Sequence, residues 1–205
     1  MTTDTRTTDG TAVRRTLADR LAAFINEASS PILANPLVSI AVGASTGSWR
    51  WTALLTVFTG VLPAGVIFGA LAVQRISDHH VTDRDERPLI MASILGSLVL
   101  GLAVCLIGGA PGPVTAVDAA MLTTLGVLAV ITIVGRWKVS VHSAVWAGIA
   151  AMLALTFGPW ALLTALAVPV VVWGRVHVRD HTLPQAVVGA LTGAVVAGLT
   201  FALIH

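Results

Sequence analysis

The sequence predicts an all-α fold, a polytopic transmembrane helix bundle with six core helices. Of its 205 residues, 56% are hydrophobic and 11% are charged, whereas a soluble domain carries about 25% charged residues. Apolar stretches of about twenty residues recur between residues 51 and 204, and each is long enough to cross a hydrocarbon core about 30 Å thick. This composition excludes most soluble classes, and also collagen-like and disordered chains.

Residues 1–30 form a polar region that we treat as separate from the membrane domain. We expect a disordered tail to about residue 10, followed by an amphipathic helix lying on the membrane surface. Apolar residues recur at helical spacing with charged residues between them, at Val13, Leu17, Leu21, Phe24 and Ala28. A solvated helical tail is the alternative. The region lacks the apolar core and cleavage site of a secretory signal.

Residues 31–205 are predicted to form the membrane domain. A weaker apolar segment, 31–45, is interrupted by Asn35-Pro36 and could span only if tilted, so an extra span there stays open. The six clear spans end at charged patches or Gly/Pro clusters and cover 51–73, 89–109, 114–135, 140–157, 160–174 and 183–204. Tryptophans fall at their ends, as interfacial anchors do, at Trp49, Trp51, Trp137, Trp160 and Trp173. Three GxxxG pairs predict close helix packing, namely Gly43/Gly47, Gly65/Gly69 and Gly189/Gly193.

Three hydrophilic patches interrupt the spans. They cover residues 75–88, 135–143 and 174–185. Two spans separate each patch from the next, so all three are predicted to lie on one face of the membrane. They combine arginine or lysine with histidine, a set of donors and proton carriers suited to a phosphate ester whose lipid tail stays in the bilayer. Anchoring of the bundle in the headgroups is the alternative role for any one of these side chains.

The single cysteine, Cys105, lies inside a predicted span. The sequence therefore offers no disulfide framework and no CxxC metal motif.

The patches resemble the three motifs of the type-2 phosphatidic acid phosphatase superfamily, which also includes the vanadium haloperoxidases. Those motifs read K-x6-RP, PSGH and SR-x5-H-x3-D. Here Arg87-Pro88 matches RP, with His80 in the place of the lysine. Ser140 and His142 match the second motif, in which Val141 replaces Gly. Arg175 and His181 match the third, with Gln185 in the place of Asp. The resemblance covers about residues 51–204.

The resemblance implies a role for each of these positions. His181 would be the nucleophile that forms a phosphohistidine, and His142 would protonate the leaving oxygen. Gln185 would accept the hydrogen bond that orients His181, without the charge of the family's aspartate. The phosphate would be bound without a metal ion by His80, Arg87, Ser140, the backbone N–H of Val141, and Arg175.

The implied function is a metal-independent phosphatase without a cofactor, hydrolysing a prenyl or glycerolipid phosphate or diphosphate. One alternative is a cyclase or lyase that ionises a prenyl diphosphate with Mg²⁺ held by acidic residues of the first patch, such as Asp78, Asp83 and Asp85. The other is a non-catalytic bundle that binds lipid headgroups. Partners are the lipid substrate and membrane lipids, not nucleic acid; lipid identity and oligomeric state are not encoded in these motifs.

We expect a multi-pass protein of the cell membrane. If residues 31–45 cross, 11 of the 12 Lys and Arg residues share the face of the three patches. The positive-inside rule then favours the cytoplasmic side for that face. The resemblance favours the outer face instead. If the segment does not cross, the Lys and Arg residues divide seven against five between the two faces, and this count decides nothing.

Overall fold

The computed structural model describes residues 16–76 and 87–205, a part of the chain that is helical and has no strand. Its eight helices are α1 Leu17–Ala28, α2 Pro31–Ser45, α3 Trp49–Ala72, α4 Arg87–Gly108, α5 Gly112–Ile133, α6 Val141–Phe157, α7 Pro159–His177 and α8 Leu183–Ile204. Helices α3, α4, α5, α7 and α8 are long and apolar enough to cross a membrane. The predicted polytopic helical bundle is confirmed. Of the six predicted core helices, now α3 to α8, α6 is a shorter apolar helix of 17 residues, and the bent pair of α1 and α2 is the possible sixth span.

Helix α1 begins at a capping box. The Thr16 hydroxyl accepts the Asp19 N–H at 3.2 Å, and the Asp19 carboxylate accepts the Thr16 N–H at 2.8 Å, so two otherwise unpaired donors are satisfied. The apolar stripe faces away from the bundle, since its members Leu17, Leu21 and Phe24 are exposed. Ala22 and Asn26 on the other side are buried. The predicted amphipathic helix is present, while Val13 and the predicted disordered tail lie outside the described residues.

Helix α2 contains the segment whose crossing the sequence leaves open. It continues through Pro36 and is packed inside the bundle, where the Ser39 hydroxyl is 2.7 Å from that of Thr59. Its 15 residues rise about 22 Å, and α1 and α2 reach the length of a span only as a pair bent by 49°. The Pro36 ring lies against Gly60, which belongs to a π-helical turn of α3, Val57–Val61. The absence of a Cβ at Gly60 leaves the room that the Pro36 ring occupies between the two helices.

The helices alternate between two ends of the bundle. At one end, α4 closes on α3, because Gly108 lies against the ring of Trp51, and α5 begins beside the carbonyl of Ile204. Trp51 is therefore buried, 8% exposed, and the prediction that it anchors the bundle in the headgroup layer is wrong. Trp49 is 70% exposed, and the contact with Gly108 involves Trp51 instead. The other end, which we call the site end, carries the second and third patches.

Helix α6 lies at the centre of the bundle and contacts α8 at very short range. A Cβ atom at Gly189 would overlap the carbonyl oxygen of Ser140, and one at Gly193 would overlap that of Ala144. Gly65 and Gly69, by contrast, face open space. Of these two predicted GxxxG pairs, Gly189/Gly193 is the one that lets two helices approach closely.

Candidate active site

A tight turn after α7 places His181. The residue Arg179 adopts a left-handed conformation, φ 61°, which costs a non-glycine residue about 1 kcal/mol. The turn folds the chain back, so that the His181 N–H donates to the Arg175 carbonyl at 3.3 Å. His181 is 5% exposed. Arg175 and His181 of the third patch are thus held side by side at the backbone level.

The imidazole of His181 is oriented by the second patch. Its Nδ1 lies 3.2 Å from the carbonyl oxygen of Lys138. A carbonyl oxygen can only accept a hydrogen bond, so Nδ1 carries the proton in this contact. In the neutral ring, Nε2 is then the basic nitrogen. The second and third patches therefore meet, and the ring presents the tautomer that a nucleophilic Nε2 needs.

Ser140 caps α6 and ties it to α8. Its hydroxyl oxygen lies 3.3 Å from the Ser143 N–H and 3.1 Å from the Ser143 hydroxyl, and its own N–H donates to the Gln185 carbonyl at 3.2 Å. Ser140 is fully buried, and His142, the second residue of α6, is 4% exposed. Val141 begins the helix, so its N–H has no carbonyl partner within α6. The N-terminus of α6 favours an anion.

Arg175 is the largest fully buried side chain among the described residues, 1% exposed. Its Nη1 donates to the side-chain oxygen of Asn26 in α1, and its Nη2 lies 3.1 Å from the carboxylate of Asp180. Burying a guanidinium requires such partners, because an uncompensated buried charge is very costly. These two contacts engage two of its five N–H donors.

The Gln185 side chain belongs to a helix cap. Its amide oxygen accepts the N–H of Thr182 at 3.0 Å, completing a capping box at the start of α8. The resemblance places Gln185 where the family's aspartate would orient the histidine. In this structure the Lys138 carbonyl accepts the hydrogen bond from Nδ1 of His181, so a backbone oxygen orients the ring in place of a side chain.

The first patch is described in part. Helix α4 begins at Arg87, one turn before Met91, and Met91 packs in one cluster with Val139 and Ala144 on either side of Ser140. The start of α4 therefore lies beside the second patch. The side chain of Arg87 lies outside the described part of the chain, as do the predicted site residues His80, Asp78, Asp83 and Asp85. Within residues 16–76 and 87–205, no group of three His, Cys, Asp or Glu side chains could hold a metal ion.

Helix α1 packs against the site end through several side-chain contacts. The Asp19 carboxylate lies 2.9 Å from Nε2 of His177, and the hydrogen bonds from His177 and from Thr16 lower the pKa of Asp19 to about 2. Ile25 packs on Gly174, since a Cβ atom added at Gly174 would lie 3.0 Å from Cγ2 of Ile25. The indole N–H of Trp146 donates to the Ser29 carbonyl at 2.9 Å. Together with the hydrogen bond between Asn26 and Arg175, these contacts hold α1 against the part of the site end where Arg175 is buried.

Sequence reasoning missed Asn26, Asp180 and the carbonyl of Lys138. Asp180 could have been suspected, since it precedes His181 and is the nearest carboxylate to Arg175 in the chain. Asn26 is a polar residue on the inner side of an amphipathic helix, a position the apolar stripe does not mark. A backbone carbonyl leaves no signal in the residue types.

Comparisons of the chain with protein-family models, with curated proteins and with solved structures find no match. The resemblance to the type-2 phosphatidic acid phosphatase superfamily therefore stays a prediction. The chain is a multi-pass helical membrane protein in which buried histidine and arginine side chains gather at one end.

Proposed function

We propose that this protein is a membrane-embedded, metal-independent phosphatase acting on a lipid-linked phosphate or diphosphate, with His181 as the nucleophile. The observation that carries the proposal is the hydrogen bond from Nδ1 of His181 to the Lys138 carbonyl. It aligns the ring and leaves Nε2 as the basic nitrogen, which is what nucleophilic catalysis by imidazole requires.

The reaction would have two steps. Nε2 of His181 attacks the terminal phosphorus, and the bond from this phosphorus to the leaving oxygen breaks as His142 donates a proton to that oxygen. The leaving oxygen is the lipid oxygen of a monophosphate or the bridging oxygen of a diphosphate. Water then attacks the phosphohistidine while His142 removes its proton, the phosphorus–nitrogen bond breaks, and inorganic phosphate leaves. The electron pair of the broken bond returns to Nε2, so the ring is regenerated.

The phosphoryl oxygens would be bound at the start of α6. The Val141 N–H and the positive end of the helix supply fixed donors there, and family resemblance adds Arg87, His80 and the Ser140 hydroxyl. Because Asp180 neutralises Arg175, this guanidinium contributes directed hydrogen bonds more than net charge. Asn26 and Asp180 act as positioning residues that hold its plane.

Wild-type protein in detergent is expected to release inorganic phosphate from a prenyl diphosphate or phosphatidic acid at the same rate in EDTA and in Mg²⁺. We expect equal rates because hydrogen-bond donors of the protein can stabilise the charge of the transition state without a metal ion. Activity that requires Mg²⁺ and yields a cyclic hydrocarbon or alcohol would instead support a cyclase or lyase. Lack of turnover with every phosphate substrate would support a headgroup-binding bundle.

We further infer that the site end faces the cytoplasm. Because α2 runs through the bundle, α1 lies at the site end, and so do seven of the eight Lys and Arg residues in the described chain: Arg20, Arg75, Arg87, Arg136, Lys138, Arg175 and Arg179. Arg50, at the start of α3, lies at the other end. This distribution follows the positive-inside rule.

Thiol labelling tests the orientation, because the natural cysteine, Cys105, is buried. A membrane-impermeant maleimide added to intact cells is expected to label His205→Cys at the opposite end. Arg179→Cys is expected to react only after permeabilisation. Labelling of Arg179→Cys in intact cells would place the site end outside.

A further inference from the structure

A fully buried carboxyl group lies inside the bundle, in the membrane-spanning helix α5. Asp118 follows the first residue of α5 by six positions, about 9 Å along the helix axis, and it is 0% exposed. Neither of its carboxyl oxygens has a hydrogen-bond partner within residues 16–76 and 87–205. Ionisable side chains inside a membrane are costly, and those that occur there commonly serve a function. The proposed phosphatase reaction makes no use of Asp118.

The carboxyl group of Asp118 lies where α5 meets α4 and α3. A Cβ atom added at Gly101 of α4 would lie 2.8 Å from Oδ1 of Asp118 and 2.7 Å from Cβ of Phe58 in α3. The missing Cβ of Gly101 therefore leaves the room that the carboxyl group occupies. We call this contact between α4 and α5 the Asp118 seam.

The hydroxyl groups one turn away from the Asp118 seam donate to backbone carbonyls. Ser97, four residues before Gly101 on the same face of α4, donates to the Phe58 carbonyl at 2.8 Å. Thr115, three residues before Asp118, donates to the Pro111 carbonyl at 3.4 Å. An ionised carboxylate buried without a donor or a cation beside it is strongly destabilising. A bound proton removes the charge and needs no further ligand, whereas a divalent metal ion needs several oxygen atoms.

Few other charged or titratable side chains lie on the helices that contact α5. Those in the described part of the chain are Arg50 of α3, Arg87 and Cys105 of α4, His142 of α6, and His205 after α8. Arg87 and His142 are at the site end, and Arg50 and His205 are at the opposite end. Cys105 follows Gly101 by four residues on the same face of α4, and it is buried, 3% exposed. Of these groups, the Cys105 thiol is therefore the one beside the Asp118 seam.

We propose that Asp118 is a proton-binding site inside the membrane, and that its proton holds α4 against α5. With the proton bound, the carboxyl group is neutral and is compatible with the apolar seam. When the proton leaves, the carboxylate must be hydrated, so the seam opens. The closed seam binds one proton more than the open seam, and raising the pH therefore favours opening. This inference does not depend on the proposed phosphatase function.

Infrared difference spectroscopy tests the bound proton directly. The spectrum of wild-type protein at neutral pH minus that of Asp118→Asn should contain the C=O stretching band of a protonated carboxylic acid. Asparagine has nearly the shape of a neutral aspartic acid, so this variant should fold. A second neutral variant, Asp118→Ser, should lack the same band. Absence of the band from both difference spectra would show that Asp118 is ionised and would overturn the proposal.

The natural cysteine reports the opening of the Asp118 seam. The rate of maleimide reaction at Cys105 is measured between about pH 6 and about pH 9 in wild type and in Asp118→Asn. The thiolate fraction rises with pH in both proteins, so the ratio of the two rates isolates the effect of Asp118. Because opening releases one proton, this ratio should rise at least about tenfold over the range, and by no more than about tenfold per pH unit. A ratio that stays constant with pH would overturn the proposal.

Discussion

Replacing His181 by alanine is expected to lower the rate of phosphate release at least about 10⁴-fold, because a missing nucleophile leaves only binding and charge stabilisation. The measurement is inorganic phosphate release in EDTA from a prenyl diphosphate. A labelled phosphoenzyme trapped by rapid acid-free denaturation should be present in wild type and absent in the variant.

Two further variants separate chemistry from folding. His181→Asn keeps a side-chain N–H where Nδ1 lies, so the bond to the Lys138 carbonyl can persist while the nucleophilic Nε2 is lost. This variant should therefore melt near the wild-type temperature and remain inactive. His205→Ala removes a histidine stacked on Phe201 at the opposite end of the bundle and should retain full activity. Substantial activity in either His181 variant would contradict histidine-based phosphoryl transfer.

Replacing Gly193 by alanine is expected to destabilise the bundle by about 3 kcal/mol, as overpacking does, and to lower Tm by about 10 °C. Gly193 begins a π-helical turn of α8, Gly193–Ala197, and its φ of −61° is one that alanine adopts without strain, so the cause is the overlap of the new Cβ with the Ala144 carbonyl. Moving α8 away from α6 also separates His181 from Ser140 and His142. A displacement of about 1 Å can cost about 100-fold in rate, so activity should fall beyond the loss of folded protein.

The second GxxxG pair supplies a matched control. Gly65 is also in a helix, and a Cβ atom added there would have no neighbouring atom within 4 Å outside its own stretch of helix. Gly65→Ala should keep the wild-type Tm and activity, or raise Tm slightly, because alanine favours a helix over glycine. Thermal melting in detergent and phosphate release measure both variants. An unchanged Tm in Gly193→Ala would show that the α6–α8 contact tolerates a wider separation.

The helices were predictable because their signal is local. Twenty or so apolar residues must form a helix in a bilayer, since every backbone N–H and C=O has to be satisfied within the segment. The predicted spans accordingly match α3 to α8 closely. The fate of 31–45 was not predictable, because a proline inside a short apolar segment can end a helix or be accommodated. In the structure α2 continues through Pro36, whose ring packs against Gly60 in the π-helical turn of α3.

The residue types of the second and third patches were predictable, and counting the spans between these patches indicated a common end. The contacts that organise the site were not. Asn26 is 149 positions from its partner Arg175, and the Lys138 carbonyl is a backbone group that any residue would present. The position of Gln185 matched the family pattern, but its side chain serves as a cap for α8.

The sequence by itself determined that this chain is a multi-pass helical membrane protein with basic and histidine-rich segments between its spans, because hydropathy and span length act over neighbouring residues. Tertiary structure alone decided which groups meet: the Lys138 carbonyl on His181, Asn26 and Asp180 on Arg175, and α8 on α6 through Gly189 and Gly193. Such contacts depend on helix packing at sub-ångström tolerance between segments distant in the chain, and local residue patterns do not encode that geometry.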